Sequence, residues 1–136
     1  MTLEITEEVL RKCGGGSSEY WFSYNDYTIK NISEFNIEDK PENMGQIEYY
    51  VSLGIIPFIH IGNEEMLRAF VREKGSEKLI NNLRAVKSEE FMDKFWKCYN
   101  VYPELNEGID EFAQKYISKK LCSWCEENKI NYELKV

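Results

Sequence analysis

Cys122-Ser123-Trp124-Cys125 is the one short pattern in this chain with a mechanism attached. Two thiolates at that spacing chelate zinc or form a redox pair. A redox pair works best where a strand meets a helix N-terminus, because the helix dipole there lowers the thiol pKa. This pair falls near the C-terminal end of a predicted long helix, where the dipole acts the other way. A tetrahedral zinc site would also need Cys13, Cys98 or His60 to converge on it, and a second close-spaced ligand pair is missing. The expectation is therefore no metal and no cofactor. Free cysteine packs like a small hydrophobe, and all four residues are expected as thiols.

Other candidate chemistry is thinner still. His60 is the only histidine, and it alternates with Ile59 and Ile61 in a predicted strand, on the face opposite both. Catalysis through it would need a Cys or Ser to meet it in space, so no catalytic residue is assigned. Gly14-Gly15-Gly16-Ser17-Ser18 lacks the Lys-Ser/Thr of a phosphate loop and follows a helix rather than a strand. A helix stop is the expected role. The carboxylate pairs Glu7/Glu8, Glu64/Glu65 and Glu126/Glu127 are adjacent in sequence and splay apart on a helix. They mark helix ends and solvent faces.

Binding residues are easier to nominate. Tyr20, Phe22 and Tyr24 share one face of a predicted hairpin, while Trp21 points to the other. An exposed aromatic such as Trp21 or Tyr27 is able to anchor a partner protein. Nearby lies an acidic loop with Glu38, Asp39 and Glu42. The formal net charge of −7 is unevenly placed: residues 1–67 hold twelve acids against four bases, and residues 68–136 hold twelve acids against thirteen bases. That balance argues against a nucleic-acid backbone as partner, because phosphate contacts need Lys and Arg. A basic run, Arg68, Arg72, Lys74, Lys78, Arg84, Lys87, Lys94 and Lys97, is interspersed with acids. It reads as solvated helix faces with intrahelical pairs.

The elements that position these residues follow from caps and periodicity. Thr6 with Glu7 and Glu8 starts a helix that turns Val9 and Leu10 inward. Residues 18–33, rich in aromatic and β-branched side chains around Asn25-Asp26, predict a β-hairpin. Residues 34–45 are polar and acidic, hence a loop. Residues 47–51 and 55–61 read as apolar strands. Asn63, Ser76 and Ser88 are expected caps for three helices, with Gly75 stopping the first and Phe91, Met92, Phe95 and Trp96 inward on the third. From Pro103, the residues Leu105, Ile109, Phe112, Tyr116, Ile117, Leu121 and Trp124 step by three or four, predicting one long amphipathic helix over 103–130. Residues 131–136 supply an edge strand.

Two of these segments carry a resemblance. Pro103-Glu104-Leu105, Ile109, Phe112, Trp124, Glu126-Glu127-Asn128 and Ile130, with the stretch IPFIHIGNEEMLRAFV containing Met66 and Phe70, resemble a widespread bacterial family to which no activity is assigned. The resemblance covers about residues 55–130. It implies a fold and a cytoplasmic setting in a bacterium or phage, and brings no function to transfer.

Together these readings predict one α+β domain over residues 1–136, with 1–61 mainly β after an N-terminal helix and 63–130 helical. A small antiparallel sheet from the N-terminal half is expected to pack against about four helices from the C-terminal half. No apolar run is long enough to cross a bilayer and no signal peptide is visible, so a cytoplasmic location without membrane partners is expected. The expected function is a small acidic, non-enzymatic protein-binding module whose partner carries a basic surface. Two alternatives stand beside it. One is a phage or mobile-element inhibitor of a host nucleic-acid-binding protein. The other is an enzyme or nucleotide-binding domain using the hairpin aromatics and His60.

Overall fold

Residue Thr6 sets the first structural event: its hydroxyl oxygen accepts from the Val9 N–H and opens a helix with two acids in its first turn. In the computed structural model, which describes residues 1–14 and 19–136, that helix is α1, Glu7–Cys13. Gly14 of the expected glycine helix stop caps α1, and the rest of that stretch, 15–18, lies outside the described residues. Strand β1, Leu3–Ile5, precedes α1; hairpin strands β2, Tyr20–Ser23, and β3, Thr28–Asn31, follow it. Helix α2, Gln46–Ser52, leads to β4, Ile55–Pro57. Helices α3, Asn63–Lys74, α4, Glu77–Arg84, α5, Ser88–Val101, and α6, Ile109–Glu127, come next, and β5, Tyr132–Leu134, ends the order. The class is α+β, as expected.

The chain divides into two compact units, one built from Met1–His60 with Lys120–Val136, the other from Ile61–Lys119. In the first, β2 is the middle strand of an antiparallel sheet ordered β3-β2-β4, with Phe22 opposite Ile29 and Ile56. Phe22 is fully buried, and the rings of Tyr24, Tyr27 and Trp124 meet it edge-on at centroid distances of 5.2, 5.2 and 6.0 Å. Trp124 also packs edge-on against Phe58 at 5.2 Å, so the second half of α6 lies on this sheet. A separate parallel pair joins β1 to β5, with Leu3 opposite Tyr132 and Ile5 opposite Leu134. Of the edge strand expected over 131–136, Tyr132–Leu134 is extended, and its partner is β1.

Helix α6 ends in a left-handed cap. Lys129 takes φ 56°, its N–H reaching Glu126 O at 3.2 Å, while the Ile130 N–H reaches Cys125 O at 2.8 Å. Buried Ile130 follows this cap.

In the second unit, Leu67, Phe70, Val71, Leu79, Leu83, Phe91, Phe95 and Leu105 form one apolar cluster. Gly75 sits between α3 and α4, where a Cβ would lie 2.7 Å from the Val71 carbonyl oxygen and 3.1 Å from Leu79. Only glycine lets the two helices turn there so tightly. Ser76 then caps α4 by accepting from the Leu79 N–H at 3.3 Å.

Several expectations need correction. Residues 47–51 are helical rather than extended: Gly45 starts α2, and Ile47 and Val51, four apart, both face solvent at 62% and 49% exposure. The strand predicted over 55–61 stops at Pro57, so His60 is outside it and exposed. The helix from Pro103 is broken. Pro103–Leu105 is a 3-10 turn, and Gly108 at φ 84° re-aims the chain before α6 begins at Ile109. Gly62 and Lys87, not Asn63 and Ser88, occupy the cap positions of α3 and α5. Trp96, expected inward, is 46% exposed.

Candidate functional site

The segment after β3 has no regular partner for its backbone, so short local bonds hold it. The Asn31 backbone and side-chain N–H groups both donate to Glu34 Oε1 at 3.3 Å, fixing the 3-10 turn Ile32–Glu34. Phe35 follows under the Lys30 ammonium, 5.4 Å from the ring centroid. Facing this segment is α2, where the Gln46 amide donates to Tyr50 Oη at 2.6 Å across one helical turn. Between them lies a groove of about 420 Å³ walled by Phe35, Ile37, Tyr49 and Tyr50, with Glu38 and Asp39 among its lining residues. Both carboxylates are exposed, and Lys40 also lines the groove.

The nominated residues are only partly gathered here. Glu38 and Asp39 line the groove directly. Trp21 stands behind it, half-buried, its ring edge-on to Tyr50 at 5.2 Å. Glu42 is exposed on the same loop but outside the lining. Tyr27 belongs elsewhere: it takes φ 55° in the hairpin turn and packs against Phe22. The sequence reading missed Phe35, Ile37, Tyr49 and Tyr50. The signal was there in the Tyr49-Tyr50 pair soon after an acidic stretch, but reading 47–51 as a strand put those rings on opposite faces.

An aromatic wall beside two carboxyl side chains suits a cationic side chain with an apolar stem. The ring faces attract the charge, and the carboxylates accept its hydrogen bonds. The three exposed apolar side chains of this region, Ile47, Val51 and Leu53, extend the surface beyond the groove.

A second cavity, of about 450 Å³, opens in the other unit. Arg68, Arg72 and Arg84 line it, above Val71, Leu83 and Phe91. Arg68 is held on all sides. Nε donates to Glu64 Oε2 at 2.9 Å, Nη1 to Leu83 O at 3.2 Å and Nη2 to Val86 O at 2.6 Å, and the guanidinium lies 4.1 Å from the Phe91 ring centroid. This convergence was not legible as spacing. Arg68 and Arg72 are one turn apart, but Arg84 arrives only because α4 folds back at Gly75.

The cysteines do not gather into a ligand set. Among the described residues no group of three or more His, Cys, Asp or Glu side chains is placed to hold a metal ion. Cys13 and Cys125 are fully buried, Cys98 and Cys122 half-buried, and all four are free. Burial pushes the Cys13 thiol up to about 12, with Cys125 adding to the shift. Burial does the same to Cys125, also to about 12, with smaller contributions from Cys122 and Glu126. A nucleophilic or redox role needs the thiolate, which these two positions suppress.

Two consequences are measurable. In native protein at mildly alkaline pH, a thiol reagent labels Cys98 and Cys122 readily and Cys13 and Cys125 only on unfolding; four equally fast thiols would contradict the burial. A raised folded-state pKa also means stability that is complete below the unfolded thiol's 9.0 and declines as pH rises from there towards about 12.

No helix among the described residues is long and apolar enough to cross a membrane. Comparison of the chain with protein-family models, with curated proteins and with solved structures finds no match.

Proposed function

We propose that the protein is a non-enzymatic protein-binding module, and that the groove between the 32–40 segment and α2 receives a basic, apolar-flanked segment of its partner. The observation that carries this reading is the placement of Glu38 and Asp39 beside the rings of Phe35, Tyr49 and Tyr50. Solvent-facing Ile47 and Val51 on the same helix add to it. Charge supports it too. The unit that contains the groove holds thirteen acidic side chains against seven basic, whereas the other holds eleven against ten. An acidic field raises the local concentration of a cationic partner and speeds encounter, while desolvated aromatics hold the complex.

A reading that uses His60 as a catalytic group has less support. His60 is exposed and past the end of β4, with no hydrogen-bond partner among the described residues.

The test uses a synthetic amphipathic peptide of Lys and Leu as probe, with association followed at low and high salt. Reversing Glu38, Asp39 and Glu42 to Lys slows association roughly tenfold or more and flattens its salt dependence. Thermal stability changes little, because exposed loop charges contribute about 0–1 kcal/mol each. Ile47→Ser with Val51→Ser instead speeds dissociation and leaves association alone, which separates the groove region from diffuse charge attraction. Equal association rates for wild type and the charge-reversed variant at low salt would remove this face from consideration.

A further inference from the structure

The arginine-lined cavity in the 61–119 unit is independent of the acidic groove and asks for the opposite ligand charge. We propose that it is a binding site for a small phosphate monoester carrying a flat apolar group.

Arg68 supplies the fixed part. Its three donated hydrogen bonds and its contact with Phe91 leave little freedom, so its guanidinium is a rigid cationic plate. Arg72, one turn along α3, and Arg84, at the end of α4, line the same cavity. Both are exposed, and Arg72 lies near enough to the Tyr116 hydroxyl, itself bonded to Glu65, to act on it electrostatically. Glu64 balances Arg68 alone. Three guanidinium groups thus line one concavity. Like charges brought together this way repel, and an anion between them relieves that repulsion.

Chemistry and size select among anions. Each guanidinium offers two parallel N–H donors, and a phosphate monoester has three oxygens to share between two such forks, where a carboxylate has two. A bare phosphate would leave much of the cavity's roughly 450 Å³ unfilled. That space is faced by Val71, Ile80, Leu83 and Phe91, which have nothing to offer except apolar contact. The volume lies within the range of about 300–1,000 Å³ common to small-molecule sites. A flat body also matches the guanidinium plate of Arg68, on which planar groups stack.

The experiment is calorimetric titration of the full chain with phenyl phosphate, inorganic phosphate, benzoate and phenol. Phenyl phosphate is expected to bind at least about tenfold more tightly than any of the other three. Arg72→Gln combined with Arg84→Gln weakens it by about tenfold or more, with the melting temperature close to wild type because both side chains are exposed. Lys94→Gln with Lys97→Gln, which changes net charge equally outside the cavity lining, leaves phenyl phosphate binding unchanged. The proposal is overturned by any of four results. These are no saturable binding of phenyl phosphate at millimolar concentration, equal affinity for inorganic phosphate, benzoate binding as tightly, or full affinity in the double arginine variant. None of them bears on the acidic groove.

Discussion

Phe22→Ala is expected to destabilise the protein by about 3–5 kcal/mol, the range for removing a fully buried phenyl ring. Two terms add. The ring's own transfer from water is lost, and the space it leaves is bounded by groups that cannot all collapse into it. Phe22 has 0% exposure and sits on the middle strand, where β3 and β4 both pair with its strand. The Tyr24, Tyr27 and Trp124 rings lean on it from three directions. Of these, Tyr24 is further tied to the end of α6, donating from Oη to Asn128 O at 2.8 Å. Its position is therefore fixed, and it is poorly placed to fill the void. Equilibrium urea unfolding followed by circular dichroism measures the loss. Phe22→Leu, which keeps most of the volume, should lose only about 1–2 kcal/mol and remains measurable if the alanine variant does not fold. An unchanged midpoint in both variants would mean that β2 does not turn this ring into the core.

Arg68→Ala comes next, at about 2–4 kcal/mol. Its guanidinium donates to Val86 O, just beyond the end of α4, and to Leu83 O, which also accepts from the Val86 N–H at 3.3 Å. Removing it leaves Val86 O without that donor, takes one of two from Leu83 O and also uncovers the Phe91 face that the cation lies over. The pair with Glu64 adds a pH signature. Hydrogen bonds from Arg68, then from Ser88, hold the Glu64 carboxyl below its ordinary value. A depressed folded-state pKa gives stability that is present above the unfolded value and lost as pH falls through the folded one. The gap between wild type and Arg68→Ala should accordingly narrow below about pH 4. Arg68→Lys keeps the charge but cannot reach three acceptors with one ammonium, so it recovers less than half of the loss. Wild-type stability in Arg68→Ala would show that the contacts are incidental.

Local signals explain why some elements were readable. The Thr6 and Ser76 caps, the Gly75 stop and the alternating aromatics of β2 act within a few residues of the chain. Elements stabilised from far away were not. In isolation, Ile47-Glu48-Tyr49-Tyr50-Val51 has strand composition, and only the Trp21 and groove contacts of Tyr50 show why it winds into a helix. Three-residue β1 is ordered by a partner more than a hundred residues away, which no window of sequence contains. The groove was half visible for the same reason: acidity at Glu38 and Asp39 is a local property, whereas the aromatic wall depends on α2. Even Phe112, named by the stripe, turns out half-buried, 5.4 Å from the Phe70 ring centroid. Its stripe is interrupted at Gly108, so periodicity alone overstated its depth.

The pairing of β1 with β5 also bears on the order in which the chain folds. Leu3 meets Tyr132 only after a loop of well over a hundred residues has closed, and that entropy is spent before either three-residue strand gains a bond. The 61–119 stretch is uninterrupted, and α3, α4 and α5 meet through short connections. Nucleation is quickest where contacts are near in sequence, so that stretch acquires structure while β1 is still without a neighbour. Until β5 arrives, β1 exposes a bare hydrogen-bonding edge beside Leu3 and Ile5, the feature of the chain most open to pairing with the wrong strand.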